Sequence, residues 1–298
     1  MTQIFLPINA MSLTNIEETI GFFEPLKNRG LKTGLMFLIL GGQKALEGES
    51  KNIQHQNFQT ATIKTGPLPV IVMASCLPLS DLDFYHKTAE SIQHIKKAVD
   101  FAKEIPNTEE NPMVTFHLNT LLAPEEFDES ADYEKIFDEQ ILPALRGLSE
   151  YAKTKNISLK IETTPIPEFG DLDDPSLNTL INPYPMYSKY FPKIKSAGIG
   201  IVLDICHTAI LLKELRLPQT LADEINMLER GDIIHLADNK AHQEGIALGD
   251  GEIENLPGII KTVVKKNYKI VFEINDQDYD KGSRPNLEKT INYFLQLI

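Results

Sequence analysis

Four short apolar runs in the second half of the chain each end on a group able to bind a cation or carry a proton: Leu159-Lys160-Ile161-Glu162, Val202-Leu203-Asp204, Ile233-Ile234-His235 and Ile270-Val271-Phe272-Glu273. A fifth, Val114-Thr115-Phe116-His117, ends the same way. Side chains alternate across an extended strand, so Glu162, Asp204, His235 and Glu273 share a face with Lys160, Val202, Ile233 and Val271 respectively. If that face points to a common axis, three carboxylates and an imidazole converge in a low-dielectric pocket, where they repel one another unless a cation sits between them. A divalent metal removes the conflict. Hard oxygen ligands with one nitrogen favour Mn2+ first, with Mg2+, Co2+ and Zn2+ left open, and octahedral coordination would leave two positions for substrate oxygens. One such residue alone reads as a solvated or ion-paired strand end; recurrence at four successive strand ends points to a site.

The elements that must position these residues repeat along the chain. Strands are predicted at Gln3–Ile8, Gly34–Leu40, Pro69–Ala74, Met113–Asn119, Ser158–Thr163, Gly200–Ile205, Asp232–Ala237 and Lys269–Ile274, with amphipathic stretches between them at Asn15–Asn28, Phe84–Glu104, Tyr133–Lys155, Met186–Ser196, Thr220–Glu229 and Leu256–Lys266, and a last one at Leu287–Leu297. Alternation of this kind requires a parallel sheet with right-handed crossovers, and eight units close most simply into an α/β fold of the (β/α)8 TIM-barrel type, with reactive groups at the C-terminal strand ends. The rival, an open doubly wound sheet, lacks its G-x-G-x-x-G signature, and no Pro/Gly/Ser linker divides the chain, so residues 1–298 read as one domain. Gly41–Gly66 breaks the rhythm and reads as a polar loop with little regular structure at the mouth.

Composition narrows the partners. With 29 Lys and Arg against 42 Asp and Glu, the net charge of −13 argues against a nucleic-acid partner. Two cysteines, Cys76 and Cys206, sit in or beside apolar runs and read as small core side chains in a reducing compartment. The first residues carry no basic segment followed by a long apolar one, and no apolar run is long enough to span a bilayer, which makes a soluble cytoplasmic protein the expectation.

In this order and at these intervals, the strand ends together with Val202-Leu203-Asp204-Ile205-Cys206-His207, Ile234-His235-Leu236-Ala237-Asp238 and Leu248-Gly249-Asp250-Gly251-Glu252-Ile253 resemble the xylose-isomerase-like superfamily of divalent-metal barrels. That superfamily includes sugar epimerases such as D-tagatose 3-epimerase, inosose isomerases and dehydratases, and the endonuclease IV group. The resemblance implies that Glu162, Asp204, His235 and Glu273 hold one divalent metal ion, that His207 points to the substrate, and that Glu168, six residues after Glu162, belongs to the same pocket. His117 matches a ligand of the three-metal endonuclease cluster. Its companions are missing, because strands two and three hold no His and the positions before the Gly-Asp-Gly turn are Gln243 and Gly245, with His242 nearby; His117 is therefore assigned to the substrate pocket.

The reaction expected is isomerisation or epimerisation of a small carbohydrate by proton transfer α to a carbonyl, through a metal-bound enediolate, with Glu162 and Glu273 as the bases. Loss of a β-hydroxyl from the same enediolate would give dehydration, and the sequence leaves these outcomes open. A barrel that binds metal and sugar without chemistry, and an endonuclease IV-like enzyme acting on abasic DNA, are the alternatives. No Gly-rich phosphate cradle or Arg cluster is evident; Lys160, Lys240 and Arg284 are the nearby cations, and their scarcity favours an unphosphorylated ligand. Homo-oligomerisation is open. His55, His86 and His94 are assigned no catalytic role, Asp171–Pro175 reads as a turn, and Pro183-Tyr184-Pro185 gives Tyr184 a rigid setting.

Overall fold

A computed structural model describes the chain except for residues 40–41, 75–81, 119–121, 123–124, 129, 165–182, 185, 242 and 277–283. The barrel strands are β1 (Gln3–Ile8), β2 (Lys32–Leu38), β3 (Val70–Met73), β4 (Met113–His117), β5 (Ser158–Glu162), β6 (Gly200–Asp204) and β7 (Ile233–His235); a hairpin, β8 (Asp238–Lys240) and β9 (Gln243–Ile246), then precedes the last barrel strand, β10 (Lys269–Val271). All eight pair in parallel in the order β1-β10-β7-β6-β5-β4-β3-β2, and β1 joins β2 to close the ring. The (β/α)8 TIM barrel expected from the strand–helix alternation is the fold.

Two apolar layers explain why nearly every strand residue is hydrophobic. Phe5, Met36, Ile71, Met73, Met113, Val202, Ile233 and Val271 fill the inside of the ring, while Ile4, Leu35, Val72, Phe116, Ile161, Leu203 and Ile270 belong to the larger core under the helices. Val202, Ile233 and Val271 therefore lie on the inner face, as alternation from the site residues requires. Gly34 makes room for this interior: a Cβ there would come 2.6 Å from the Pro69 carbonyl oxygen and 2.7 Å from the Phe5 ring. Gly34→Ala is expected to destabilise the protein by ~1–3 kcal/mol through overpacking, read as a lower midpoint in thermal unfolding.

The helices begin and end where their local chemistry permits. Ser12 caps the helix Leu13–Gly21 by accepting the Asn15 N–H, and Thr220 and Asp223 form a reciprocal capping box at Leu221–Asn226. Asn156 and Asn267 take positive φ just before β5 and β10, a conformation in which Asn costs less than most residues. Within the stretch Tyr133–Thr154 one π turn, Phe137–Ile141, stands next to Pro143, which has no N–H to continue the ordinary ladder. No helix among the described residues is long and apolar enough to cross a membrane.

Three expectations need correction. The segment Gly41–Gly66 is not a loop of little regular structure: a 3-10 turn, Gly42–Leu46, leads into the helix Gly48–Thr65. Its buried seam is Gln54, Phe58, Ala61 and Thr62, and the two polar members bond inward, Gln54 Nε2 to the Ala45 carbonyl and Thr62 Oγ1 to the Phe58 carbonyl, so a polar-looking face is a packed one. The stretch Asn15–Asn28 is broken at Phe22 into Leu13–Gly21 and Phe23–Lys27. Strand β10 stops at Val271, which places Glu273 two residues beyond the ladder.

Candidate metal centre and its mouth

The ring order makes β5, β6, β7 and β10 consecutive neighbours, and register then sets the depth of each group. His117 lies opposite Glu162 across β4–β5, and Asp204 lies opposite His235 across β6–β7. Glu162, Asp204, His235 and Glu273 offer ligand atoms that all fall within 4.8 Å of one another. Glu162 and His235 are fully buried and Asp204 nearly so, whereas the Glu273 side chain is 31% exposed. Glu162 and Glu273 stand at the two ends of this arc, with His235 between them: His235 Nδ1 is 3.2 Å from Glu162 Oε1 and closer still to Glu273 Oε2.

These contacts are near but misaligned. Both Glu162 oxygens, both His235 nitrogens and Glu273 Oε2 are buried and make no hydrogen bond among the described residues, although each such atom left unsatisfied costs free energy. Groups aimed at a point between them, rather than at one another, produce this pattern. The donor set, three carboxylates and one imidazole, fits a divalent cation that prefers oxygen with a single nitrogen.

The electrostatics of the metal-free cluster agree. Burial pushes Asp204 up to about 7, with Glu273 and Glu162 adding to the rise and the imidazoles of His207 and His235 opposing it. Burial would lower His235, but Glu162 and Glu273 hold it well above the usual imidazole range. Burial would likewise raise Glu162, and His235 and His117 outweigh it, keeping the carboxyl well below its ordinary value. Without a cation, protons supply the positive charge that the carboxylates demand.

Around the cluster the pocket residues divide. His117 Nε2 is 3.2 Å from Glu162 Oε1, which puts His117 at the mouth. His207 lies in the first turn of the helix Ile205–Glu214, whose N-cap is Asp204: the Asp204 carboxylate accepts the His207 backbone N–H at 2.7 Å. A candidate ligand thus caps a helix as well, which explains the three-residue spacing of Asp204 and His207. His207 Nδ1 lies 2.8 Å from the Thr163 carbonyl, which only a protonated nitrogen satisfies, so Nδ1 is no metal ligand even though Glu162 and His117 stand near enough to form a second ligand group with it. Its Nε2 faces Glu244 Oε2 at 2.7 Å. Glu168 lies outside the described residues, as do Asp171–Pro175, Cys76 and His242.

Elsewhere the candidates are settled by packing. Cys206 is buried and its Sγ donates to the Asp238 carbonyl. His94 is buried beneath β3 with Nε2 on the Ala74 carbonyl, and Tyr184 is buried among Tyr133, Phe137 and Tyr190. Lys160 Nζ sits 3.8 Å from Asp232 deep in the barrel, and Arg284 is buried, donating to the Pro7 carbonyl and Thr19 Oγ1.

The Gly-Asp-Gly turn has an architectural purpose. The buried carboxylate of Asp238 accepts the N–H groups of Gly249, Gly251 and Ile253, and of its own neighbour Asn239, so the turn wraps round the residue that follows His235 by three. A Cβ on Gly251 would fall 2.3 Å from Asp238 Oδ1, while Asp250 itself pairs outward with Lys289. In Asp238→Asn the amide nitrogen cannot accept, and the loss is expected to be ~2 kcal/mol or more, again visible in thermal unfolding.

An eightfold parallel barrel with a carboxylate–imidazole cluster at the C-terminal ends of four adjacent strands defines the protein's class. The chain belongs to the xylose isomerase-like TIM barrel family, whose profile matches residues 34–297. Among solved structures it is similar to the 3-keto-D-glucoside 4-epimerase YcjR of E. coli in its apo form (17% identity, TM-score 0.63, covering 99% of this chain and 100% of that one). It is also similar to a D-tagatose 3-epimerase-like protein (16%, 0.61, 100% and 98%) and to a xylose isomerase-like TIM barrel protein from Mycobacterium smegmatis in complex with magnesium (15%, 0.51, 85% and 79%). At these identities the likeness speaks to the fold. No functionally curated protein matches the chain.

Proposed function

We propose that the protein is a divalent-metal-dependent sugar isomerase or epimerase, working by proton transfer at the carbon next to a carbonyl. The observation that carries this reading is the convergence of buried ligand atoms from Glu162, Asp204, His235 and Glu273, those of Glu162, His235 and Glu273 Oε2 without a hydrogen bond among the described residues, with two carboxylates flanking the imidazole. A divalent cation bound there supplies electrophilic polarisation of adjacent carbonyl and hydroxyl oxygens. Glu162 and Glu273 reach that position from different sides of the cluster, so one can take the proton and the other return it, which inverts the carbon; return by the same group does not. His117 and His207 line the mouth and orient substrate oxygens. The sugar-epimerase names of two structural relatives and the magnesium of a third support the assignment. A binding barrel without chemistry would not need two potential bases in this arrangement.

The test is proton NMR of D-tagatose, D-psicose and D-fructose incubated in deuterated buffer with the Mn2+-loaded protein, recorded after chelation of the metal. Loss of the C–H signal beside the carbonyl is expected. Binding of a sugar without exchange would sink the enzymatic assignment in favour of a binding barrel.

A further inference from the structure

Glu244 lies between Gln243 and Gly245 on β9, the second strand of the hairpin that follows β7. The structure folds that segment over the mouth. Asn275, two residues beyond Glu273, donates its backbone N–H to the Gly245 carbonyl at 2.8 Å and its Nδ2 to the Glu244 carbonyl at 3.2 Å. Gly245 has φ +70°, and a Cβ there would come 2.5 Å from Asn275 Nδ2, so glycine is what lets the hairpin seat. The consequence is the placing of one carboxylate. Glu244 Oε2 lies 2.7 Å from His207 Nε2, and the opposite ring nitrogen is held by the Thr163 carbonyl, so His207 is gripped from both sides.

The Glu244 side chain is nevertheless 46% exposed, and Oε1 makes no hydrogen bond among the described residues. It shares a cavity of about 40 Å³ with Asp204, His207, Glu273 and Asn275, which makes it a wall of the space above the cluster. Of the cations that the sequence places nearby, Lys160 is engaged by Asp232 inside the barrel and Arg284 by Pro7 and Thr19, while Lys240 is exposed at the end of β8 and is not among the residues lining the cavity. No Lys or Arg among the described residues lines this cavity. Three carboxylates already face any dication held by the cluster, so a fourth at the rim leaves an entrance that attracts hydroxyl donors and repels anions.

We infer that Glu244 is a specificity-determining residue of the mouth: it holds His207 in position and accepts a hydrogen bond from a substrate hydroxyl, selecting uncharged polyhydroxy ketones against their phosphorylated counterparts. This rests on the proposed sugar-isomerising reading and deepens it. A hydroxyl-to-carboxylate bond of this kind corresponds to about 10- to 100-fold in kcat/KM.

The experiment compares the Mn2+-loaded full chain with Glu244→Gln and Glu244→Asp on D-tagatose, D-psicose, D-fructose and their 6-phosphates, following exchange by NMR and Mn2+ binding by calorimetry. In Glu244→Gln, KM for the free ketose is expected to rise about 10-fold or more with kcat nearly unchanged, and the preference for free over phosphorylated ketose to fall by a similar factor; Glu244→Asp recovers part of both, and Mn2+ affinity stays within about twofold. An unchanged KM and an unchanged preference would overturn the inference while leaving the enzyme assignment intact, and so would loss of Mn2+ binding, which would mean that Glu244 acts through the metal. Absence of exchange by the unsubstituted protein overturns both readings, and it is seen before any substitution is made. If Glu244→Gln does not fold, Glu244→Asp carries the same comparison.

Discussion

Glu162→Gln and Glu273→Gln are each expected to lower solvent-hydrogen exchange into substrate by about 10²- to 10⁴-fold, the range that a positioned acid or base contributes, while leaving the barrel folded. An amide has the volume of the carboxyl it replaces and cannot take a proton. The two variants should differ in a second respect. Glu162 is fully buried beside two imidazoles, His235 and His117, so its replacement takes a buried counter-charge from both rings and leaves only Glu273 beside His235, whereas Glu273 is partly open to solvent. Weaker metal binding and a lower thermal midpoint are therefore expected chiefly for Glu162→Gln. Exchange measured at saturating Mn2+ separates chemistry from occupancy. Full turnover retained by either variant would remove that residue from the base role.

The second large effect concerns the cation itself. Chelation should abolish exchange, and restoring metal to about 100 times its dissociation constant should stabilise the protein by ~2.7 kcal/mol, provided the unfolded chain binds none. About one ion per chain is expected by elemental analysis; three would revive the endonuclease reading. Protons and metal compete for the same atoms, and the direction of that competition follows from the shifts. Asp204 titrates near 7 in the metal-free protein instead of its ordinary 3.8, and His235 well above its ordinary range, so both hold protons that the unfolded chain releases sooner. Their contribution to metal-free stability is therefore present at acid pH and lost as pH rises, for Asp204 across the window from 3.8 to about 7. Metal binding must expel these protons, so its affinity rises with pH over that window, by about tenfold per pH unit for each proton released. Calorimetry of Mn2+ binding in buffers of different ionisation enthalpy counts the protons. An affinity that does not change between about pH 5.5 and 8 would exclude the proposed ligand set.

How far the chain could be read without its structure depended on where the information lies. Buried barrel strands are short and largely apolar, β5, β6 and β7 each end on an ionisable residue and Glu273 follows β10 by two positions, so these four runs and their terminal groups stand out from local pattern alone. The helix Gly48–Thr65 did not, because Gln54 and Thr62 in its buried seam make their hydrogen bonds to the Ala45 and Phe58 carbonyls, a satisfaction that residue type cannot reveal. Two features of the Gly-Asp-Gly segment were visible as a motif but not as a mechanism: the glycines clear space for Asp238 and Tyr293, and the carboxylate that organises the turn comes from 11 to 15 residues earlier in the chain.

Glu244 marks the boundary most clearly. In the sequence it is one acid among 42 Asp and Glu, on no strand of the barrel. Its place over His207 arises because Asn275 ties the hairpin to the segment that carries Glu273, a contact between residues 30 or more positions apart. The chain's own pattern determined the barrel and the quartet of strand-end groups, since alternation and strand length are set by neighbouring residues. Which groups share a cavity, which imidazole nitrogen is already taken, and which carboxylate guards the entrance were decided only by tertiary closure, because those relations depend on distances between segments that no local period encodes.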